Sequence, residues 1–207
     1  MNLASGYTYG SDMMIVMKES TSTAASVSFS APIVEIKGQK IVLIPEEKSV
    51  AFSSRGQVSV RGSVNGYAFS TVLEPDGRWS HWFRIDAEMH EALALKTGDD
   101  VAVELEQVNE WPEPAVPEDF AEALGEAPDN IQQLWSDITP MARWEWVRWI
   151  NATREQTTRQ RRVQVSISKM QSGKRRPCCF NLAACTDPEL SRSGRLMESA
   201  SGERASH

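Results

Sequence analysis

The sequence predicts an α+β chain in which a small β-barrel precedes an all-helical domain. Three observations carry this. Between residues 33 and 108, short apolar runs alternate with turn-forming residues, as in a closed or split barrel of short strands. Residues 111–117 hold three prolines in six residues, which forbids a regular helix and favours an extended connection. Beyond them, apolar residues recur at three- and four-residue spacing between recognisable caps, as far as residue 171. The expected organisation is an unstructured extension over residues 1–30, a barrel over 31–110, a linker over 111–117, a helical domain over 118–181 and an unstructured tail over 182–207.

The first two strands are Ile33-Val34-Glu35-Ile36 and Ile41-Val42-Leu43-Ile44, flanking a turn at Lys37-Gly38-Gln39. Pro45-Glu46-Glu47 opens a short helix, with proline and acids where a helix N-terminus accepts them. Val58, Val60, Gly62 and Val64 share one face of an alternating strand. Asn65-Gly66 then reads as a hairpin turn, since both positions tolerate positive φ. The return strand covers residues 67–73, Pro75-Asp76-Gly77 turns the chain again, and a further strand is expected over 79–85. Asp86 is placed to cap a helix to about residue 95, and Val101-Ala102-Val103-Glu104-Leu105-Glu106 alternates apolar with acidic.

In the helical half, a helix over 118–124 ends at Gly125 and a second runs over 128–136. Thr139 caps a third with Pro140 in its first turn, reaching Asn151 and burying Trp146 and Trp149, with Trp144 offset and partly exposed. The fourth covers residues 156–171, with Val163, Ile167 and Met170 as its apolar stripe, so that several of its cations must face solvent.

An apolar fraction of 41% and a charged fraction of 24% suit a globular chain. No apolar run is long enough to span a bilayer, and the N-terminus lacks a signal-peptide pattern, so a cytoplasmic protein is expected. Cys178, Cys179 and Cys185 are odd in number and crowded together, which suits free thiols rather than a disulfide framework. No nearby histidine completes a zinc spacing, and neither a glycine-rich phosphate loop nor a paired-carboxylate motif stands out. Ser80-His81 are adjacent on a strand and point to opposite faces, so they make no hydrolytic pair. Neither cofactor nor metal is expected, and the chain reads as non-enzymatic.

Charge is divided unevenly. Residues 31–139 hold eight basic and twenty acidic residues, whereas residues 140–176 hold ten basic and two acidic ones. Arg154, Arg159, Arg161, Arg162, Lys174, Arg175 and Arg176 are therefore candidate contacts for nucleic acid or an acidic protein surface, which would make binding salt-dependent. The competing reading docks the same face on the acidic barrel of its own chain. Cys178 and Cys179 adjoin Lys174-Arg175-Arg176, and positive neighbours favour the thiolate, so both are candidate redox thiols. A small-molecule pocket between barrel and helices is the alternative to a basic binding face.

Ile138-Thr139-Pro140, Trp149-Ile150, Thr158-Arg159-Gln160-Arg161-Arg162-Val163 and the run from Ser172 to Asn181 give the helical half a resemblance to the YdeI/OmpD-associated, or bacteriocin-protection, family. The β half, through Val60-Arg61-Gly62-Ser63-Val64-Asn65-Gly66-Tyr67, Pro75-Asp76-Gly77 and Gly98-Asp99-Asp100-Val101, resembles the domain of unknown function that often precedes it. The resemblance implies a double-split β-barrel of the kind shared with AbrB-like regulators and MazE-type antitoxins, and it implies no catalytic residues. Where the family usually has Pro-Glu-Thr-Arg, this chain has Gln156-Thr157-Thr158-Arg159.

Overall fold

Six strands close into an antiparallel barrel in the order β1-β2-β5-β4-β3-β6. These are β1 (Ser26–Ile36), β2 (Gln39–Leu43), β3 (Val58–Val64), β4 (Tyr67–Pro75), β5 (His81–Arg84) and β6 (Asp100–Gln107). The computed structural model describes residues 25–178 and 181–199. Two long strands divide their pairing, which is how the barrel splits. β1 pairs with β6 through residues 26–32 and with β2 through 33–36. β4 pairs with β3 through 67–73 and with β5 only at Glu74 and Pro75.

Two of the predicted turns form as tight hairpin turns, with Lys37 and Gly38 at φ 51° and 78° and Asn65 and Gly66 at φ 48° and 82°. Gly62 is required by packing: a β-carbon there would lie 1.9 Å from the Glu104 carbonyl oxygen of β6. Val58, Val60 and Val64 face a core shared with Ile33, Leu73, Phe83, Val103 and Leu105. Helix α1 (Glu46–Ser49) and helix α2 (Ala87–Leu93) fill the gaps between strands, and the Asp86 carboxylate accepts the Met89 N–H as the sequence predicts.

The helical domain comprises α3 (Glu118–Gly125), α4 (Asp129–Asp137), α5 (Pro140–Asn151) and α6 (Gln156–Gln171). The Thr139 hydroxyl accepts the Ala142 N–H and caps α5. Trp146 is fully buried among Phe120, Ile131, Ile138 and Ile150, and Trp149 packs edge-on against it at 6.3 Å between ring centres. Trp144 is half-buried and donates to the Pro112 carbonyl. The Glu155 carboxylate caps α6 by accepting the Thr157 and Thr158 N–H groups, which hold it down at about 2. An acid therefore serves this helix start one residue before the departure from the family pattern.

Three expectations are corrected. Residues 26–30, read as unstructured, form the first half of β1, because their alternation pairs with β6; residues 1–24 lie outside the described residues. Trp79 is not in a strand. It occupies the turn before β5 at φ 88° and is 70% exposed, with Arg55 stacked over its ring at 5.7 Å. The described part of the tail, residues 181–199, is ordered: β7 (Ser191–Arg192) and β8 (Arg195–Leu196) form a hairpin against the outside of the barrel. There Leu190, Leu196 and Cys185 bury with Ile36, Ile41 and Trp82. The hairpin turn sits so close that a β-carbon on Gly77 would lie 2.0 Å from the Gly194 oxygen.

Candidate functional site

The seven candidate cations do not form an unengaged face. Arg159 holds Asp119 of α3 with two nitrogens, at 2.6 and 2.9 Å, and also donates to Asn151 at 2.9 Å. That hydrogen bonding holds the Asp119 carboxyl below its ordinary value. Arg175 binds both the carboxylate and the backbone carbonyl of Asp137 at 2.8 Å. Arg176 grips Glu145 of α5, its Nε lying 2.6 Å from Oε2 and its Nη2 facing Oε1. Arg154 pairs with Glu189 of the tail at 2.8 Å. Arg162 donates to the Trp149 carbonyl at 2.7 Å and lies 5.6 Å over the Trp149 ring, which Lys169 also approaches. Arg161 and Lys174 remain exposed, with no ion-pair partner among the described residues.

The competing reading fares no better, because the carboxylates that engage these cations belong to the helical domain and the tail, not to the barrel. Arg148, which no sequence motif marks, is the α5 cation that reaches the barrel. Its Nε lies 3.2 Å from Glu74, while Nη1 and Nη2 donate to the Leu182 and Ala184 carbonyls at 2.9 and 2.5 Å. Withdrawal from water pushes the Glu74 carboxyl up, against the downward pull of Arg148 and the Gln57 hydrogen bond.

Of the candidate thiols, Cys178 is exposed and its sulfur meets the Lys169 ammonium. Cys179 lies outside the described residues. Cys185 is buried, and burial pushes its thiol up to about 12, so it stays protonated. Among the described residues, no cluster of histidine, cysteine and carboxylates has metal-holding geometry, and no helix is long and apolar enough to cross a membrane.

His81 does have a serine partner, but it is Ser49 rather than Ser80. The Gly56 carbonyl can only accept, so His81 Nε2 donates to it at 2.7 Å, and Nδ1 accepts the Ser49 hydroxyl at 2.6 Å. Both side chains are fully buried, and burial pushes the His81 pKa down. The pair pins α1 and the following loop to β5, and no substrate reaches it.

A concave feature with convergent polar groups lies where barrel, linker and helices meet. It is a cavity of about 310 Å³. Val58 and Ser59 of β3, the loop from Ser53 to Gln57, Gln107 to Asn109, and Trp111 of the linker form one side. Met141 and Glu145 of α5, Arg176 and Leu182 form the other. Several wall polar groups are already engaged: Gln107 with Ser53, Gln57 with Glu74, and Ser59 with the Glu110 carbonyl. Of the predicted site residues only Arg176 reaches this cleft. The rest of its wall was invisible in sequence because it is assembled from segments far apart in the chain.

Residues 29–105 match the family described as domain of unknown function DUF1905, and residues 113–173 match the family described as bacteriocin-protection, YdeI or OmpD-associated. No curated protein matches the chain. The cleft lies at the seam between the matched regions and borrows Gln107, Asn109, Trp111, Arg176 and Leu182 from outside both. The chain thus carries a region that matches the DUF1905 family, occupied by the barrel, ahead of a region that matches the bacteriocin-protection, YdeI or OmpD-associated family, occupied by helices α3 to α6.

Proposed function

We propose that this protein is a non-enzymatic protection protein that works by binding a small molecule in the cleft between barrel and helices. The protective role follows the family description. The observation that carries the binding mode is the cleft itself, whose volume of about 310 Å³ lies at the lower end of ligand pockets, roughly 300–1,000 Å³. Its lining of Trp111, Met141, Val58 and Leu182 beside Arg176, Glu145 and Asn109 has the mixed character of such sites. Among the described residues, three serines line it without a histidine or cysteine, and the Ser49–His81 pair is buried elsewhere, which supports binding without covalent catalysis. A basic contact surface for nucleic acid has little support, since Arg154, Arg159, Arg175 and Arg176 are all occupied by carboxylates of their own chain.

The test is survival of cells expressing the protein under bacteriocin challenge. Asn109→Trp, at an exposed position on the cleft wall, should abolish protection while leaving the melting temperature unchanged. Arg161→Gln with Lys174→Gln should leave protection intact. The reverse pattern would reject the cleft in favour of the cationic surface.

A further inference from the structure

We infer that the cleft selects a small aromatic or short acyl carboxylate, held through the outer edge of the Arg176 guanidinium; this rests on the cleft being the binding site. Arg176 uses Nε and Nη2 to hold Glu145, and its Nη1 group has no partner among the described residues. The planar guanidinium keeps its remaining N–H donors in a fixed fork, which matches the two oxygens of a carboxylate. Glu145 is only 6% exposed while the Arg176 side chain is 51% exposed, so the carboxylate sits behind and the cation faces the opening. The buried anion thus works as an anchor. It fixes the guanidinium plane before any ligand arrives, which lowers the ordering cost of binding.

The second free polar group is Asn109, exposed and without a hydrogen-bond partner among the described residues. Its amide N–H groups can donate to the same ligand head. The apolar body of the ligand then lies against Trp111, Met141, Val58 and Leu182. A cationic head is disfavoured because the one carboxylate in the wall, Glu145, is already held by two guanidinium nitrogens.

The experiment is ligand-observed NMR titration of the full chain with benzoate, benzamide and benzylamine, which share a ring and differ in the head. Benzoate should bind most tightly and benzylamine least. Arg176→Lys keeps a cation beside Glu145 but loses the planar fork, and it should weaken benzoate about ten-fold, the value of one good charged hydrogen bond. Asn109→Asp, at an exposed position without a hydrogen-bond partner among the described residues, should weaken benzoate and spare benzamide. Loss of benzoate binding in Asn109→Trp would place the ligand in the cleft. Benzamide or benzylamine binding as tightly as benzoate, undiminished by Arg176→Lys, would overturn the carboxylate assignment while leaving the cleft reading intact. Benzoate binding that survives Asn109→Trp would overturn this inference by placing the ligand elsewhere, and the survival assay would still judge the cleft separately.

Discussion

Arg148 is the side chain through which α5 holds both the barrel and the tail. Only 4% of its side chain is exposed, and its guanidinium meets Glu74, the Leu182 carbonyl and the Ala184 carbonyl. Arg148→Met would leave a half-buried carboxylate without its cation and two carbonyls without their donor. Breaking such a pair from one side costs about 3–5 kcal/mol, so urea denaturation should show a loss of that order. The double variant Glu74→Gln with Arg148→Met should recover part of it, and not all, because the carbonyls stay unsatisfied. His81 makes a different prediction. Its folded pKa lies below the ordinary 6.5, so the unfolded chain takes up the proton first as pH falls. Stability should be full above about pH 6.5 and decline below it. His81→Asn should be less stable at neutral pH yet lose less between pH 6.5 and 5. An equal slope in both proteins would move the acid sensitivity to another group. The window is separable from that of Glu155, whose depressed carboxyl contributes above 4.5 and loses its contribution only as pH falls from there towards about 2.

The elements that were legible in sequence are those closed by local chemistry. The Asn65-Gly66 turn, the Asp86 and Thr139 caps and the span of α6 all rest on neighbours within a turn or two. The β7–β8 hairpin was not legible. Its strands hold two residues each, too few for alternation to register, and its apolar contacts are widely spaced at Cys185, Leu190, Leu196 and Met197. What holds it is tertiary: Arg84 with Asp187, Arg78 with Glu198, the Leu196 N–H on the Asp76 carbonyl, and burial on Trp82. Trp79 escaped in the same way, because a tryptophan at positive φ breaks the local rule that placed it in a strand. Leu190 is fully buried in this seam. Leu190→Ala should weaken docking of the hairpin by about 2–5 kcal/mol. Hydrogen exchange checks this at the element itself: the Leu196 and Met197 amides, bonded to Asp76 and Leu190 carbonyls, should lose protection while the Trp146 amide keeps it. Equal loss at both would mean that tail and helical domain unfold as one unit.

Across the whole molecule, the uneven charge distribution is real in sequence and largely cancelled in space. Arg159 meets Asp119 across 40 residues, Arg175 meets Asp137 across 38, and Arg176 meets Glu145 across 31. A count of charges along the chain cannot see such pairings, because they depend on which helices pack together. Acids of the helical domain and the tail are placed against these cations, which leaves Arg161 and Lys174 as the exposed cations of the candidate set without a carboxylate among the described residues. The consequence is quantitative. Affinity for a polyanion falls with salt in proportion to the phosphates neutralised, with a slope of about −0.9 for each on duplex DNA. Two available cations give a slope near −2, against about −6 if all seven were free. The protein should therefore leave heparin at low salt and show a shallow salt dependence on duplex DNA. Asp119→Asn with Asp137→Asn releases Arg159 and Arg175 and should steepen that dependence and raise retention. A steep slope already present in the unaltered protein would mean that the internal ion pairs open to admit phosphate, and the polyanion reading would then regain its footing over the cleft.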